Sequence, residues 1–303
     1  MRRVQAPRLV WAVLAVIAAT LGAVLPARAD NMVITYSAAG VTAPDFSSNS
    51  TTGICYNTTV CDYGLENFSG WSGGSPYTSA FKDGGTGTYN QPTGVSFSGT
   101  YAVGANTNTS GTTDAWVHSA QNQYGGLNGN GYPELFGNGS TTAPANYTLS
   151  LSAGGVPGTN YFGIWISALD PYNDLKIFDG NTVIAEFNST TLQAKLGNCA
   201  SPSTNLYCGN PTTQFKGQDS GELFVYVNVF DLSNYITKVE FFDSGSTGFE
   251  STNHAVAYVN PIHVTGTVVQ VPEPSTLALL VPTLLALGGL RRLDGYAPSV
   301  SRA

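Results

Sequence analysis

A period-two alternation of apolar and polar residues is the feature of this sequence that most constrains its fold. In residues 161–168, Phe162, Ile164 and Ile166 would share one face of an extended chain. Comparable runs occupy residues 32–36, 95–103, 147–151, 223–230, 236–242, 255–259 and 263–269. Because side chains alternate between the two faces of a strand, and helical periodicity is almost absent, these runs predict β-strands with one face in the core.

Turn signals separate the predicted strands. Residues 175–178 and 183–187 flank an Asp-Gly-Asn turn at residues 179–181, and an Asp-Gly pair readily adopts the positive φ angles of a tight hairpin. The other loops are long and rich in Gly, Asn, Ser and Thr, as in residues 125–131. About ten short strands joined in this way predict an all-β fold, namely an antiparallel β-sandwich of jelly-roll type.

The composition narrows the classes of partner. Only 10% of the 303 residues are charged, and the net charge of the whole chain is −7. Most arginines lie near the two ends, so the residues between them are more acidic still. Since no basic patch is available to bind phosphates, nucleic acid is not expected as a partner.

The N-terminal residues have the three parts of a secretory signal peptide. Three arginines precede an apolar run at residues 9–25, and Ala27 and Ala29 occupy the two small-residue positions that a signal peptidase reads. We therefore predict that residues 1–29 are removed on export and that the mature chain begins at Asp30. The alternative is a transmembrane anchor.

The C-terminal residues also fall into three parts. Val-Pro-Glu-Pro-Ser at residues 271–275 is followed by an apolar run at residues 276–290 and then by Arg291 and Arg292. As a helix, the apolar run would be about 22 Å long, which is short for a hydrocarbon core of about 30 Å. The two arginines would stay on the cytoplasmic side and stop transfer.

The two prolines of the motif restrict their own backbone and that of the residues before them. An extended and accessible segment is therefore expected ahead of a short transmembrane helix. This divides the chain into a signal peptide, an exported β domain at residues 30–270 and a sorting segment at residues 271–303.

The sorting segment resembles the PEP-CTERM signal of surface proteins in Gram-negative bacteria. The resemblance rests on Pro272, Glu273 and Pro274, followed by the apolar run and by Arg291 and Arg292. It implies that a membrane exosortase cuts the chain near Pro-Glu-Pro and links it to cell-surface material, after a transient stay in the inner membrane. The alternative is an ordinary C-terminal membrane anchor. Tails of this kind are also named after ice-binding proteins, but that name describes sorting and does not indicate ice binding.

A looser likeness extends into the exported domain. Residues 160–165 and 248–254 resemble segments of a group of exosortase-dependent surface proteins. The likeness implies the same class of protein and supplies no reaction.

The four cysteines fall into two close pairs. An even number of cysteines in an oxidising compartment favours disulfides, and four cysteines allow three connectivities. We predict the local bonds Cys55–Cys61 and Cys199–Cys208, because each pair lies in a turn-rich loop. Zinc is the alternative, but no Cys-x-x-Cys spacing is present and no histidine lies near either pair in sequence.

No recognisable set of catalytic residues is present. None of the three histidines accompanies a nucleophile motif such as G-x-S-x-G. Asp170, Asp174 and Asp179 are close in sequence and could form a pair of glycosidase-type carboxylates. Asp170 precedes a proline and Asp179 a glycine, however, so both are better explained as turn residues. The chain is therefore predicted not to be an enzyme.

Two kinds of ligand remain open. Asp243 and Glu250 flank a polar loop that could offer oxygen ligands to calcium, the alternative being a solvated hairpin loop. Trp71, Trp116 and Trp165 could stack on sugar rings, the alternative being ordinary packing in the core. No other cofactor is expected.

These features predict an exported, non-enzymatic component of the cell surface or of the extracellular matrix, with extracellular polysaccharide as its partner. Signal peptidase and exosortase would act on it during export. One alternative is a carbohydrate-binding module that uses calcium. The other is a secreted polysaccharide hydrolase.

Overall fold

The computed structural model describes residues 31–44, 63–71, 77–79, 81, 97–104, 115–137, 139–153, 158–202, 204–258 and 267–270. All of them belong to one compact unit, Asp30–Val271. For residues 31, 115, 116 and 267–270 the description covers the backbone alone.

The described chain forms two antiparallel sheets. The strands are β1 (Asn31–Tyr36), β2 (Tyr63–Glu66), β3 (Tyr77–Ser79), β4 (Phe97–Val103), β5 (Ala115–His118), β6 (Tyr132–Phe136), β7 (Ala145–Ala153), β8 (Tyr161–Leu169), β9 (Asn173–Asp179), β10 (Thr182–Asn188), β11 (Leu223–Asp231), β12 (Lys238–Asp243), β13 (Gly248–Ala257) and β14 (Thr267–Gln270). Sheet 1 has the order β14-β1-β11-β8-β13-β6-β5, and β2 also pairs with β13; sheet 2 has the order β10-β9-β12-β7-β4-β3. The predicted all-β sandwich is confirmed.

The predicted alternation places the core between the two sheets. Phe162, Ile164 and Ile166 of β8 point inward together with Val225 and the other inward-facing valines of β11. From sheet 2 they meet a second set of apolar side chains, which includes Leu149, Leu151, Ile177, Val239 and Phe241. Burial of these two faces is the main source of stability in a sandwich of this kind.

The predicted hairpin is confirmed. Strands β9 and β10 pair with Thr182 opposite Asp179, and Gly180 at φ +56° supplies the positive backbone angle that the tight turn needs. Helix α1 (Ser189–Leu196) follows directly. It begins at a capping box, in which the Asn188 side chain accepts from the Thr191 N–H and the Thr191 side chain reaches back to the Asn188 N–H.

The predicted Cys199–Cys208 disulfide is confirmed, with the two Cα atoms 5.6 Å apart. It closes the loop between α1 and β11. The Cys199 side chain is nearly buried and packs against the core.

The central strands of sheet 1 are buried on their outer face as well. Every residue of β8, β11 and β13 is buried. Leu127, from the loop that precedes β6, packs on Trp165, Phe224 and Tyr226 outside the sheet. We define residues 119–131 as the cover loop. Because these strands are covered on both faces, polar side chains on the outer face of sheet 1 can be buried as well.

Two backbone irregularities decide which side chains point inward. Ala168 of β8 and Asn253 of β13 both adopt positive φ, at 48° and 49°. The pairing of β13 with β8 shifts register between Thr252 and Ala255. An extra residue at such a bulge reverses the alternation, so Ser251 and His254 both face the interior although they are three residues apart.

Three strand details differ from the sequence expectation. Strand β13 begins at Gly248, well before the predicted start at residue 255. The loop after Asp243 does not close a hairpin, because β12 belongs to sheet 2 and β13 to sheet 1. Strands β2, β3, β5 and β6 and helix α1 were not predicted, because they are short and carry weak alternation.

Candidate functional site

Strands β6 and β13 bring two glutamates together on the outer face of sheet 1. Glu134 and Glu250 are direct register partners, and each is almost fully buried. One oxygen of each carboxylate lies within 3.0 Å of the point that a Cβ atom on Gly248 would occupy. A side chain at position 248 would therefore displace both, and glycine is what allows the carboxylates to converge.

Further acidic groups surround this pair. Asp170 at the end of β8 and Glu222 just before β11 complete a set of four that we call the carboxylate cluster: Glu134, Asp170, Glu222 and Glu250. Burial, and then the charges of Glu134 and Asp170, raise the pKa of Glu250 well above its ordinary value. Burial and the neighbouring Asp170 raise the pKa of Glu222 to about 7. Burial and the neighbouring charges therefore favour the neutral form of Glu222 and Glu250 more than in water, unless a positive charge is close by.

Hydroxyl groups complete the polar surface beside the pair. Ser167 on β8 is the register partner of Glu250, and Thr252 lies two residues further along β13 on the same face. Ser167 Oγ, Thr252 Oγ1 and Glu250 Oε2 are all buried and have no hydrogen-bond partner among the described residues. Such groups are rare in folded proteins, because each forfeits its hydration without compensation.

The cover loop keeps this surface away from water. The Asn122 side-chain oxygen accepts hydrogen bonds from the N–H groups of Tyr124 and Gly125 and from the Tyr132 hydroxyl. Gly125 lies so close to Ser167 Oγ and to the Tyr132 ring that a Cβ atom would contact both at about 3.0 Å. The Asn210 side chain donates to the Gln123 carbonyl and ties the loop to the segment before β11.

His118 connects the pair to a surface cavity. Its Nε2 atom contacts Glu134 Oε2, and its ring stacks on Tyr132 at a centroid distance of 4.5 Å. The cavity has a volume of about 280 Å³ and is lined by His118, Ser119 and two glycine-containing segments, residues 68–71 and 129–131. His118 thus lies between Glu134 and the surface cavity.

A separate polar network lies inside the core. Ser251 Oγ and His254 Nε2 are 3.0 Å apart, a distance that a nucleophile and its base also show. The Tyr147 hydroxyl bonds Ser251, and the Tyr101 hydroxyl bonds His254 Nδ1. All four residues are fully buried, with 0% exposure, and burial lowers the pKa of His254 to about 3. No substrate can reach this pair, so the network acts as structure.

Asp243 does not contribute to the cluster as an open ligand. It is fully buried, its Oδ2 atom accepts the Gly137 N–H at 2.9 Å, and its Oδ1 atom accepts the Gly245 N–H at 2.7 Å. Burial raises the pKa of Asp243 to about 6, against the lowering effect of these two donors. Asp243 thus joins two loops, and Glu250 lies within a strand. The alternative, a solvated hairpin loop, would place both residues in water, but both are buried.

Two of the three tryptophans considered for sugar stacking are in the core. Trp165 is 0% exposed beneath the cover loop, and Trp71 is 6% exposed and stacked on Tyr77. Both side chains are therefore largely shielded from solvent, although Trp71 also lines the cavity beside His118, and sugar stacking stays a prediction. The Trp116 side chain lies outside the described atoms.

The remaining predicted sites also lie outside the described residues. These are Ala27 and Ala29, the Cys55–Cys61 pair, Pro272, Glu273, Pro274, Arg291 and Arg292. Within the part of the chain that the structure covers, no helix is both long and apolar enough to cross a membrane. In the same residues, no group of three or more His, Cys, Asp or Glu side chains is arranged to hold a metal ion.

Sequence reasoning identified Glu250 but missed its partners. Glu134 lies in Tyr-Pro-Glu-Leu-Phe, which lacks a clear alternation, and nothing in the sequence singles out Ser167. A signal was nevertheless present: a glutamate embedded in apolar neighbours is costly to bury and marks a position worth examining.

Comparison with protein-family models, with curated proteins and with solved structures finds no match to this chain.

Proposed function

We propose that this chain is an exported, non-enzymatic structural component of the bacterial cell surface or extracellular matrix, delivered there by an exosortase. The observation that carries the proposal is the order of residues 271–292: Pro-Glu-Pro, a short apolar run and two arginines, placed directly after the β domain. Extracellular polysaccharide is the proposed partner. The jelly-roll form of the sandwich belongs to the same proposal.

The burial of the chemically active groups supports a role without catalysis. The Ser251–His254 pair lies in the core, and Glu134 and Glu250 lie beneath the cover loop. A hydrolase needs its nucleophile or its acid and base within reach of the substrate. The Cys199–Cys208 disulfide fits export, since such bonds persist in oxidising compartments.

Separating recognition of the tail from its insertion tests the proposal. Pro272→Ala with Pro274→Ala removes the backbone restriction but leaves the apolar run intact. We expect this variant to stay in the membrane fraction at full length. Leu279→Asp with Leu280→Asp adds about 5–7 kcal/mol to insertion and should instead release unprocessed protein into the periplasm.

Immunoblots of membrane, periplasmic and surface fractions distinguish these results. The matched control is Ser299→Ala, a substitution beyond the basic stop that should be processed like the natural chain. Normal trimming and surface delivery of the proline variant would remove the main support for exosortase sorting.

The two alternatives predict other readouts. A carbohydrate-binding module should retain glycans on an array, with binding lost in Trp116→Ala. A hydrolase should turn over a polysaccharide, with activity lost in Glu134→Gln or Glu250→Gln. Reproducible turnover that depends on either carboxylate would refute the structural role.

A further inference from the structure

Three buried oxygens on the outer face of sheet 1 have no hydrogen-bond partner within the described part of the chain. Glu250 Oε2 and Thr252 Oγ1 come from β13, and Ser167 Oγ comes from the adjacent β8. Glu250 is 4% exposed, Thr252 1% and Ser167 0%. Ser167 is directly opposite Glu250 in the sheet. A surface of this kind is complete only when something supplies positive charge or donors to it.

The carboxylates add a second, independent requirement. An oxygen of Glu134 and an oxygen of Glu250 converge over Gly248, and Asp170 and Glu222 add further negative charge nearby. Two buried carboxylates that converge in this way repel each other unless a proton or a cation lies between them. His118 lines the cavity and contacts Glu134 from that side.

We propose that Glu134, Glu250 and Ser167 bind one divalent cation of the calcium type between β6, β13 and β8. The site goes beyond the structural role proposed above and does not depend on it. Its two carboxylates and one hydroxyl are hard oxygen donors, which calcium accepts in irregular numbers together with carbonyl oxygens and water. Zinc sites are built mostly from nitrogen and sulfur ligands, whereas the three proposed ligands are all oxygens. Asp243 is not a ligand, since both of its oxygens accept backbone N–H groups.

The proposed site has only two acidic side chains. It therefore agrees with the finding that no group of three or more His, Cys, Asp or Glu side chains in the described residues is arranged to hold a metal ion. Two carboxylates and a hydroxyl give an affinity in the range of extracellular calcium modules, with a Kd of about 10⁻⁴ to 10⁻³ M. The cation would enter from the cavity beside His118, because His118 lines this cavity and contacts Glu134. Protons compete for the same oxygens, so binding should strengthen as the pH rises.

Terbium luminescence and thermal unfolding of the full chain, after removal of metal with EDTA, test the proposal. Trp165 is the register partner of Thr252, so excitation of Trp165 should sensitise Tb³⁺ bound beside it. Calcium should displace the terbium, and about 10 mM calcium at pH 8 should raise the unfolding midpoint by about 5 °C. Glu250→Gln and Ser167→Ala are the test variants, and Glu186→Gln on the exposed face of sheet 2 is the matched control.

We expect Glu250→Gln to weaken calcium binding by about tenfold or more, Ser167→Ala to weaken it less, and Glu186→Gln to bind like the natural chain. Both test variants should keep the unfolding midpoint that the natural chain has in EDTA, because each substitution keeps or reduces the size of the side chain. The proposal is overturned if calcium shifts neither signal at pH 8, which would mean that a shared proton satisfies the pair. It is equally overturned if Glu250→Gln binds calcium as well as the control.

Discussion

Acid should destabilise this protein through His254, which lies at the centre of the sandwich. The ring is 0% exposed, stacks on Phe241 and bonds the Tyr101 hydroxyl and Ser251. Burial lowers the pKa of His254 to about 3. In the unfolded chain an imidazole has an ordinary pKa of about 6.5. Lowering the pH from about 6.5 to about 3 should therefore destabilise the folded protein.

The sign and size follow from proton linkage. Between about pH 6.5 and pH 3 the unfolded chain holds a proton on this ring and the folded chain does not, so the free energy of unfolding falls as the pH falls. Each pKa unit is worth about 1.4 kcal/mol, so the full window is worth about 5 kcal/mol. That is comparable with the whole stability of a typical domain, about 5–15 kcal/mol.

Urea unfolding from about pH 3.5 to pH 7.5 measures this effect in the natural chain and in His254→Gln. The variant loses hydrogen bonds and packing, which lowers its stability by a constant amount, but it has no proton to gain. The difference in stability between the two proteins should shrink by about 1.4 kcal/mol per pH unit as the pH falls below 6.5.

Other titrating groups do not obscure the result. Carboxyl groups with raised pKa, such as Asp243, stabilise the fold as the pH falls, and their contribution cancels in the difference. Tyr147→Phe is the matched control, because it removes a hydroxyl from the same network without removing the titration. A difference between the natural chain and His254→Gln that stayed constant with pH would show that the ring takes up its proton in the folded state.

Two further predictions concern the outer site and the disulfide. Gly248→Ala should separate the two carboxylates that converge on it and weaken calcium binding about as much as Glu250→Gln, measured by terbium displacement; unchanged binding would contradict the close approach. Cys199→Ser with Cys208→Ser should lower the free energy of unfolding by about 2–3 kcal/mol, because the bond restricts a short loop in the unfolded chain. Urea midpoints with and without a reducing agent check this, and the double variant should respond less to reduction than the natural chain, because only the predicted Cys55–Cys61 bond would remain.

The sequence predicted the strands that carry a strong alternation. Phe162, Ile164 and Ile166 face the core as expected, and so do the inward residues of β11. The Asp-Gly turn between β9 and β10 was also correct, because its backbone requirement is local. Local patterns of this kind report which face is buried, and they need no knowledge of the neighbouring strands.

The short strands and the candidate site were beyond the reach of such patterns. Strand β6 follows a glycine-rich loop and carries Glu134 among apolar residues, so neither its type nor its partner could be read from the sequence. The sequence predicts a strand only from residue 255, although pairing with β8 and β6 makes residues 248–254 strand as well. Pairing between distant segments decides such cases, since β propensity depends on packing.

What the sequence determined by itself was the all-β class, the main inward faces and the hairpin. It allowed three pairings of the cysteines, and the structure shows the predicted Cys199–Cys208 bond. What only the tertiary structure decided was the arrangement of polar groups. A single bulge at Asn253 turns His254 into the core, and the strand order places Glu134 beside Glu250 although they are far apart in the chain. Periodicity specifies one residue relative to its near neighbours, whereas a site is made by register and strand order, which depend on the packing of the whole sheet.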